Sequence, residues 1–123
     1  MKLTAYMFQF FDEHPDRIAN CDGRVWYEFN DGRTIYSDQL FAHKGRAIIN
    51  NRNVWAWDGN RDAPTLTPSY RVWVGEPHVL HLHVSGGKLD ILPDSNIEHD
   101  DVKKMTWEEF FGDTEPLTPA APG

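Results

Sequence analysis

Apolar and polar positions alternate with a period of two over much of this chain, the signature of strands that bury one face. The clearest run is His78-Val79-Leu80-His81-Leu82-His83-Val84: Leu80, Leu82 and Val84 point one way, Val79, His81 and His83 the other. Ser85-Gly86-Gly87 turns the chain into Lys88-Leu89-Asp90-Ile91-Leu92, with Leu89 and Ile91 on one face. Arg24-Val25-Trp26-Tyr27-Glu28-Phe29 and Arg33-Thr34-Ile35-Tyr36 flank Asn30-Asp31-Gly32. An Asp-Gly between two β-rich runs predicts a hairpin, because both residues tolerate the positive φ of its turn. Residues 3–11, almost all apolar, predict a buried strand. Val54-Trp55-Ala56-Trp57, with both indoles on one face, and Tyr70-Arg71-Val72-Trp73-Val74 predict two more.

The breaks in the pattern punctuate these strands. Asp12-Glu13-His14-Pro15-Asp16 and Asp58-Gly59-Asn60-Arg61-Asp62 read as turns, and Asn50-Asn51-Arg52-Asn53 as a loop. Pro64 and Pro68 have no N–H for a ladder, which places residues 64–68 at an edge or outside the sheet. Ser37-Asp38-Gln39-Leu40-Phe41-Ala42-His43 predicts one short helical turn, ended by Gly45. Thr106-Trp107-Glu108-Glu109 fits a capping box, in which threonine and glutamate satisfy two orphaned amides at a helix start. Trp107, Phe110 and Phe111, at i, i+3 and i+4, give that helix an apolar stripe that Gly112 ends. The predicted fold is therefore all-β or β-rich α+β, a small antiparallel sheet or sandwich with a short C-terminal helix. Residues 1–112 form its single domain, and residues 113–123, with Pro116, Pro119 and Pro122, a flexible acidic tail.

Charge narrows the choice of partners. Of 123 residues, 12 are Lys or Arg and 19 are Asp or Glu, a net charge of −7. Residues 94–123 carry most of the excess, holding only Lys103 and Lys104 against eight carboxylates. Such a balance argues against a nucleic-acid partner, whose phosphates require a basic stripe. It suits a basic protein partner instead, with Asp100, Asp101, Glu108 and Glu109 as the acidic surface. No apolar run approaches the ~20 residues that cross a bilayer, and Met1–Asp12 does not read as a secretory signal. Cys21 is the sole cysteine, so no intramolecular disulfide forms. The expectation is a cytoplasmic protein with no membrane partner.

Among residues that carry chemistry, His81 and His83 stand out. Histidines at i and i+2 on a strand share a face, their Cβ atoms about 7 Å apart, and lean together at a spacing a zinc ion accepts. A third ligand is needed, and Asp94 and His99 beyond the next strand are the natural suppliers, with His78 a weaker one. Zinc is thus the candidate cofactor, with no organic cofactor indicated. Gly75 precedes His81 by six positions, as in a cupin motif, but Gly86, Gly87 and Lys88 stand where its acidic residue belongs. Trp55, Trp57 and Trp73 are candidates for an aromatic platform. Phosphate loops, Gly-x-Ser-x-Gly elbows and Cys-x-x-Cys pairs are missing, and Cys21 lacks the setting of a nucleophile.

Several stretches also resemble a known pattern: Trp55-Ala56-Trp57-Asp58-Gly59-Asn60, Ala63-Pro64-Thr65-Leu66-Thr67-Pro68-Ser69, His81, Gly87-Lys88-Leu89-Asp90-Ile91-Leu92 and Asp94-Ser95. Together they resemble a family of small, mainly phage- and prophage-encoded proteins of unknown function, sometimes mislabelled ammonia monooxygenase. That family's Cys-His and Asp-Cys-x-His elements look like a four-ligand zinc site. Here Leu80 and Ser95 stand at the cysteine positions and Ile97 at the final histidine, so the resemblance implies loss of the tetrahedral site. It further implies a phage accessory protein in the host cytoplasm that acts by binding another protein, without catalysis. Two alternatives remain: a small zinc domain with a hydrolase-like site at His81, His83, Asp94 and His99, where the metal activates water, and a sugar- or ligand-binding β module on the tryptophans.

Overall fold

The computed structural model describes residues 2–16, 21–29, 35–43, 47–49, 52–74 and 77–112, with the backbone alone for 35–38, 47–49 and 52. Among them ten strands precede one short helix. The predicted β-rich fold is what forms. A large sheet contains β1 (Lys2–Phe10), β2 (Gly23–Phe29), β3 (Ile35–Ala42), β4 (Ala47–Ile49), β5 (Arg52–Trp57), the two-residue β6 (Leu66–Thr67) and β10 (Glu98–Lys104). A small antiparallel sheet follows the order β7 (Tyr70–Trp73), β8 (Val79–Ser85), β9 (Lys88–Ile91). The helix α1 spans Trp107–Phe111.

Alternation decides which face is buried. Along β2, Val25, Tyr27 and Phe29 are buried, and along β8 so are Leu80, Leu82 and Val84. These two rows face each other across one core, joined by Tyr6, Phe41, Leu66 and Tyr70. Two contacts fasten the sheets together. Tyr70 stacks on Tyr27 with ring centroids 5.3 Å apart, and the buried Tyr6 hydroxyl donates to the Gly87 carbonyl at 2.8 Å. On the other face of the large sheet, Leu40, Ala42 and Val54 form a smaller cluster with Phe11 and Cys21. The aromatic stripe of α1 packs against Trp26 of that face, Phe111 meeting it edge-on at 5.3 Å, while Trp107 stacks on His14 at 4.1 Å. Thr106 and Glu109 form the expected capping box and Gly112, at φ +83°, ends the helix.

Three expectations need correction. Arg52 and Asn53, read as the end of a loop, open β5 instead, because they pair with Ile49 and Ile48 of β4. Residues 37–42 belong to β3, not to a helical turn, because Leu40 and Phe41 pair with β2 on one side and with β5 on the other. Ladder bonds to two neighbours override the local preference for a turn. Most strand pairs are antiparallel, as expected, while β1–β10 and β3–β5 run parallel. Finally, β10 was not anticipated at all. Its sequence Glu-His-Asp-Asp-Val-Lys-Lys contains one apolar residue and is exposed along nearly its whole length. It is an edge strand whose charges block further pairing. The hairpin β2–β3 forms with the expected antiparallel pairing, but its Asn30–Gly32 turn lies outside the described residues, as do Gly45 and the 113–123 tail.

Among the described glycines, Gly23 sits at the closest approach to its neighbours. A Cβ there would lie 2.2 Å from the Gln9 carbonyl oxygen and 2.5 Å from the Phe41 ring. Gly23→Ala should lower the stability by about 1–3 kcal/mol through overpacking. Urea unfolding checks this: the midpoint falls while the slope with denaturant stays constant.

Candidate functional site

The candidate histidines sit on β8, whose register is set by its hairpin with β9. Gly86 and Gly87 both take positive φ, +59° and +80°, as a two-residue turn matched to strand twist requires. This register pairs Leu82 with Ile91 and His83 with Asp90, and across the other edge of β8 it pairs Arg71 with His81. His81 and His83 consequently face away from the core that Leu80, Leu82 and Val84 fill.

Both ring nitrogens of His81 are engaged. Nδ1 lies 2.7 Å from Asp94 Oδ1, and Nε2 lies 3.0 Å from the hydroxyl of Ser69. An ionised carboxylate only accepts, so Nδ1 carries the proton and donates to Asp94. When the ring carries only that proton, Nε2 is the acceptor for the Ser69 hydroxyl. Ser69, His81 and Asp94 thereby form one continuous hydrogen-bonded chain, a hydroxyl next to an imidazole that a carboxylate orients. The hydrogen bond from His81, foremost, holds the Asp94 carboxyl below its ordinary range. Desolvation opposes this, and the charge of Arg71, whose Nε is 4.0 Å from Asp94 Oδ2, reinforces it.

Each member is placed by its neighbours. Ser69 directly precedes Tyr70, the ring stacked on Tyr27, and its carbonyl accepts the Trp55 indole N–H at 3.2 Å. Asp94 stands in a turn closed by the Ser95 N–H donating to the Leu92 carbonyl at 2.9 Å. The His81 side chain is 20% exposed and that of Asp94 56%, so solvent reaches the site from the Asp94 side.

The structure sorts the sequence-predicted residues sharply. Of the metal candidates, His81 and Asp94 meet, while His83 faces Asp90 and His99 pairs with Leu3 from the edge strand β10. Among the described residues no group of three or more His, Cys, Asp or Glu side chains is placed to hold a metal ion. Among the described residues His81, His83, Asp94 and His99 are thus not gathered into one group, since His83 lies opposite Asp90 and His99 lies on β10 opposite Leu3. His99 instead lines a cleft of about 590 Å³ between β9 and β10, with Tyr6, Lys88 and Asp90.

Nor do the tryptophans make a platform. Trp55 and Trp57 are half-buried, Trp55 edge-on to Tyr70 and Trp57 against Phe10 and Phe41. Trp73 is 53% exposed, with the Arg71 guanidinium 5.6 Å from its ring centroid. Of the acidic surface, all four residues are exposed, and Asp100 pairs with Lys2 at 2.7 Å and Glu109 with Lys103 at 3.1 Å. Ser69 is the functional residue that sequence reasoning missed. No spacing rule leads from Ser69 to His81 to Asp94, and the one available signal was parity, which puts Ser69 and Arg71 on the same face of the chain entering β7.

The depressed Asp94 ionisation has a stability consequence whose sign is fixed. A carboxyl held below its unfolded value of 3.8 stabilises the fold above that pH, and the contribution disappears as pH falls through the lower folded value. Wild type should therefore melt higher than Asp94→Asn near neutral pH, with the gap closing below about pH 4. Thermal melts of both proteins from pH 7 downward check this.

Comparison of the chain with family models, with curated proteins and with solved structures gives no significant match.

Proposed function

We propose that this protein is an acyl hydrolase in which Ser69 is the nucleophile, His81 the general base and Asp94 the group that orients and stabilises the imidazole. The observation that carries the reading is the unbroken chain from Ser69 Oγ to His81 Nε2 and from His81 Nδ1 to Asp94 Oδ1, at 3.0 and 2.7 Å. A serine hydroxyl is a weak nucleophile until a positioned base takes its proton. The other readings have less support. The tryptophans are dispersed, and two of the four acidic candidates are already paired within the chain.

The chemistry follows from the proton positions. As Ser69 Oγ bonds to the acyl carbon of an ester or amide, its proton passes to His81 Nε2 and the carbonyl electrons move onto oxygen. Collapse of that tetrahedral species breaks the bond to the leaving group, which takes the proton back from Nε2 and departs as alcohol or amine. A water molecule, deprotonated by the same nitrogen, then attacks the serine ester, releasing the acid and restoring the Ser69 hydroxyl. While the imidazole is cationic, the Asp94 carboxylate lies beside its Nδ1–H. With more than half of that carboxylate in contact with water, its field is screened more than that of a buried acid.

The test is hydrolysis of p-nitrophenyl acetate together with labelling by a fluorophosphonate, which bonds covalently to activated serines. Ser69→Ala should abolish labelling and lower kcat by at least about 1,000-fold, and His81→Ala should act similarly. Asp94→Asn should cost less, about 100-fold, because of its exposure. Labelling that persists in Ser69→Ala, or turnover unchanged by it, overturns the assignment.

A further inference from the structure

We infer that Ser95 is a positioning residue of this site: its hydroxyl fixes the main chain of His81 so that one imidazole reaches Ser69 and Asp94 together. This rests on the acyl-hydrolase reading above and names a part of the same machinery. β9 ends at Ile91, while β8 extends further along the same edge to Val79. The Leu92 N–H still donates to the His81 carbonyl at 2.8 Å, continuing the ladder. The Leu92 carbonyl, however, turns to accept the Ser95 N–H. The His81 N–H, which that carbonyl would have served, is left without its ladder partner.

The Ser95 hydroxyl replaces it. Its oxygen accepts from the His81 N–H at 2.6 Å, and its proton goes to the His81 carbonyl at 2.7 Å. A hydroxyl is the compact side-chain group that donates and accepts at one atom, so both backbone groups of His81 are satisfied from a single point. The preceding residue is Asp94, whose carboxylate holds the His81 ring. Two consecutive residues of one tight turn thus grip the same histidine, one by its backbone and one by its imidazole. The next residue repeats the device without touching the site. Asn96 Oδ1 accepts from the Val79 N–H at 2.7 Å and its Nδ2 donates to the Pro77 carbonyl at 2.7 Å. Asn96 is therefore a built-in control, anchoring the same strand two residues from His81.

The experiment compares Ser95→Ala, Ser95→Thr and Asn96→Ala in the full chain, by p-nitrophenyl acetate kinetics, thermal melts and the NMR resonance of the His81 Nδ1 proton bonded to Asp94. Ser95→Ala should lower kcat by about 10- to 100-fold, the scale set by small misplacements of a catalytic base, with KM within about threefold. It should also broaden or lose the Nδ1 proton signal. Ser95→Thr, which keeps the hydroxyl, should recover both. Asn96→Ala should lower the melting temperature comparably but leave kcat within about threefold. If Ser95→Ala does not fold, Ser95→Cys, whose thiol donates and accepts weakly, carries the same comparison with a smaller loss. The inference is overturned if Ser95→Ala and Asn96→Ala reduce kcat alike in step with melting temperature, or if Ser95→Ala leaves kcat and the Nδ1 signal unchanged. Should the unmodified chain hydrolyse no ester, the acyl-hydrolase reading falls, and the Nδ1 proton signal alone then decides whether Ser95 positions the imidazole.

Discussion

The stack of Tyr70 on Tyr27 is the contact on which the arrangement of this protein turns. It joins the small sheet to the large one with two buried rings nearly parallel, their planes 9° apart. Offset aromatic pairs of this kind contribute about 0.5–1.5 kcal/mol beyond the area they bury. Its larger effect is positional. Tyr70 opens β7 and directly follows Ser69, so fixing the ring in the core fixes the serine at the rim. The Tyr6 hydroxyl bonded to Gly87 does the same at the far end of the small sheet, by holding the turn that sets the β8–β9 register. Inter-sheet packing and the placement of the site are therefore one set of constraints.

On the outer face, polar groups take over from packing. The residues that hold His81 come from two places: Ser69 before β7, and Asp94 with Ser95 after β9. Ser95 supplies the hydrogen bonds that the strand would otherwise obtain from a neighbouring backbone, while Ser69 and Asp94 bond the imidazole itself. Substituting side chains for a missing strand gives a geometry that depends on individual atoms, the condition for orienting an imidazole. The exposure of Asp94 moderates its electrostatic effect, leaving proximity of Ser69 to the ring as the main feature of the site.

The charged C-terminal third has a structural role of its own. β10 closes the large sheet beside β1 with a run of exposed charges, of which Lys2 neutralises Asp100 and Lys103 bridges to Glu109. Glu109 is also the reciprocal partner in the capping box, where the Thr106 backbone N–H, foremost, and then Lys103 keep its carboxyl below its ordinary range. The acidic excess of this region thus contributes to a protected sheet edge and a helix start.

What the sequence determined by itself was whatever depends on near neighbours. Period-two alternation fixed the faces of β8 and β9, Gly86-Gly87 fixed a turn, and Thr106 with Glu109 fixed a helix start, since each is encoded within a few residues. It also put His81 on the outward face and offered Asp94, alongside His99, only as a metal ligand. Tertiary structure alone decided that residues 37–42 are a strand, because that outcome depends on pairing with both β2 and β5, and that the polar stretch 98–104 is one, because its partner β1 lies almost a hundred residues earlier. It likewise decided that the companions of His81 are Ser69 and Asp94 rather than His83 and His99. A hydrogen-bonded triad is a relation between three points in space. Its members lie on separate segments, and the packing that brings those segments together leaves no mark in the local pattern of any one of them.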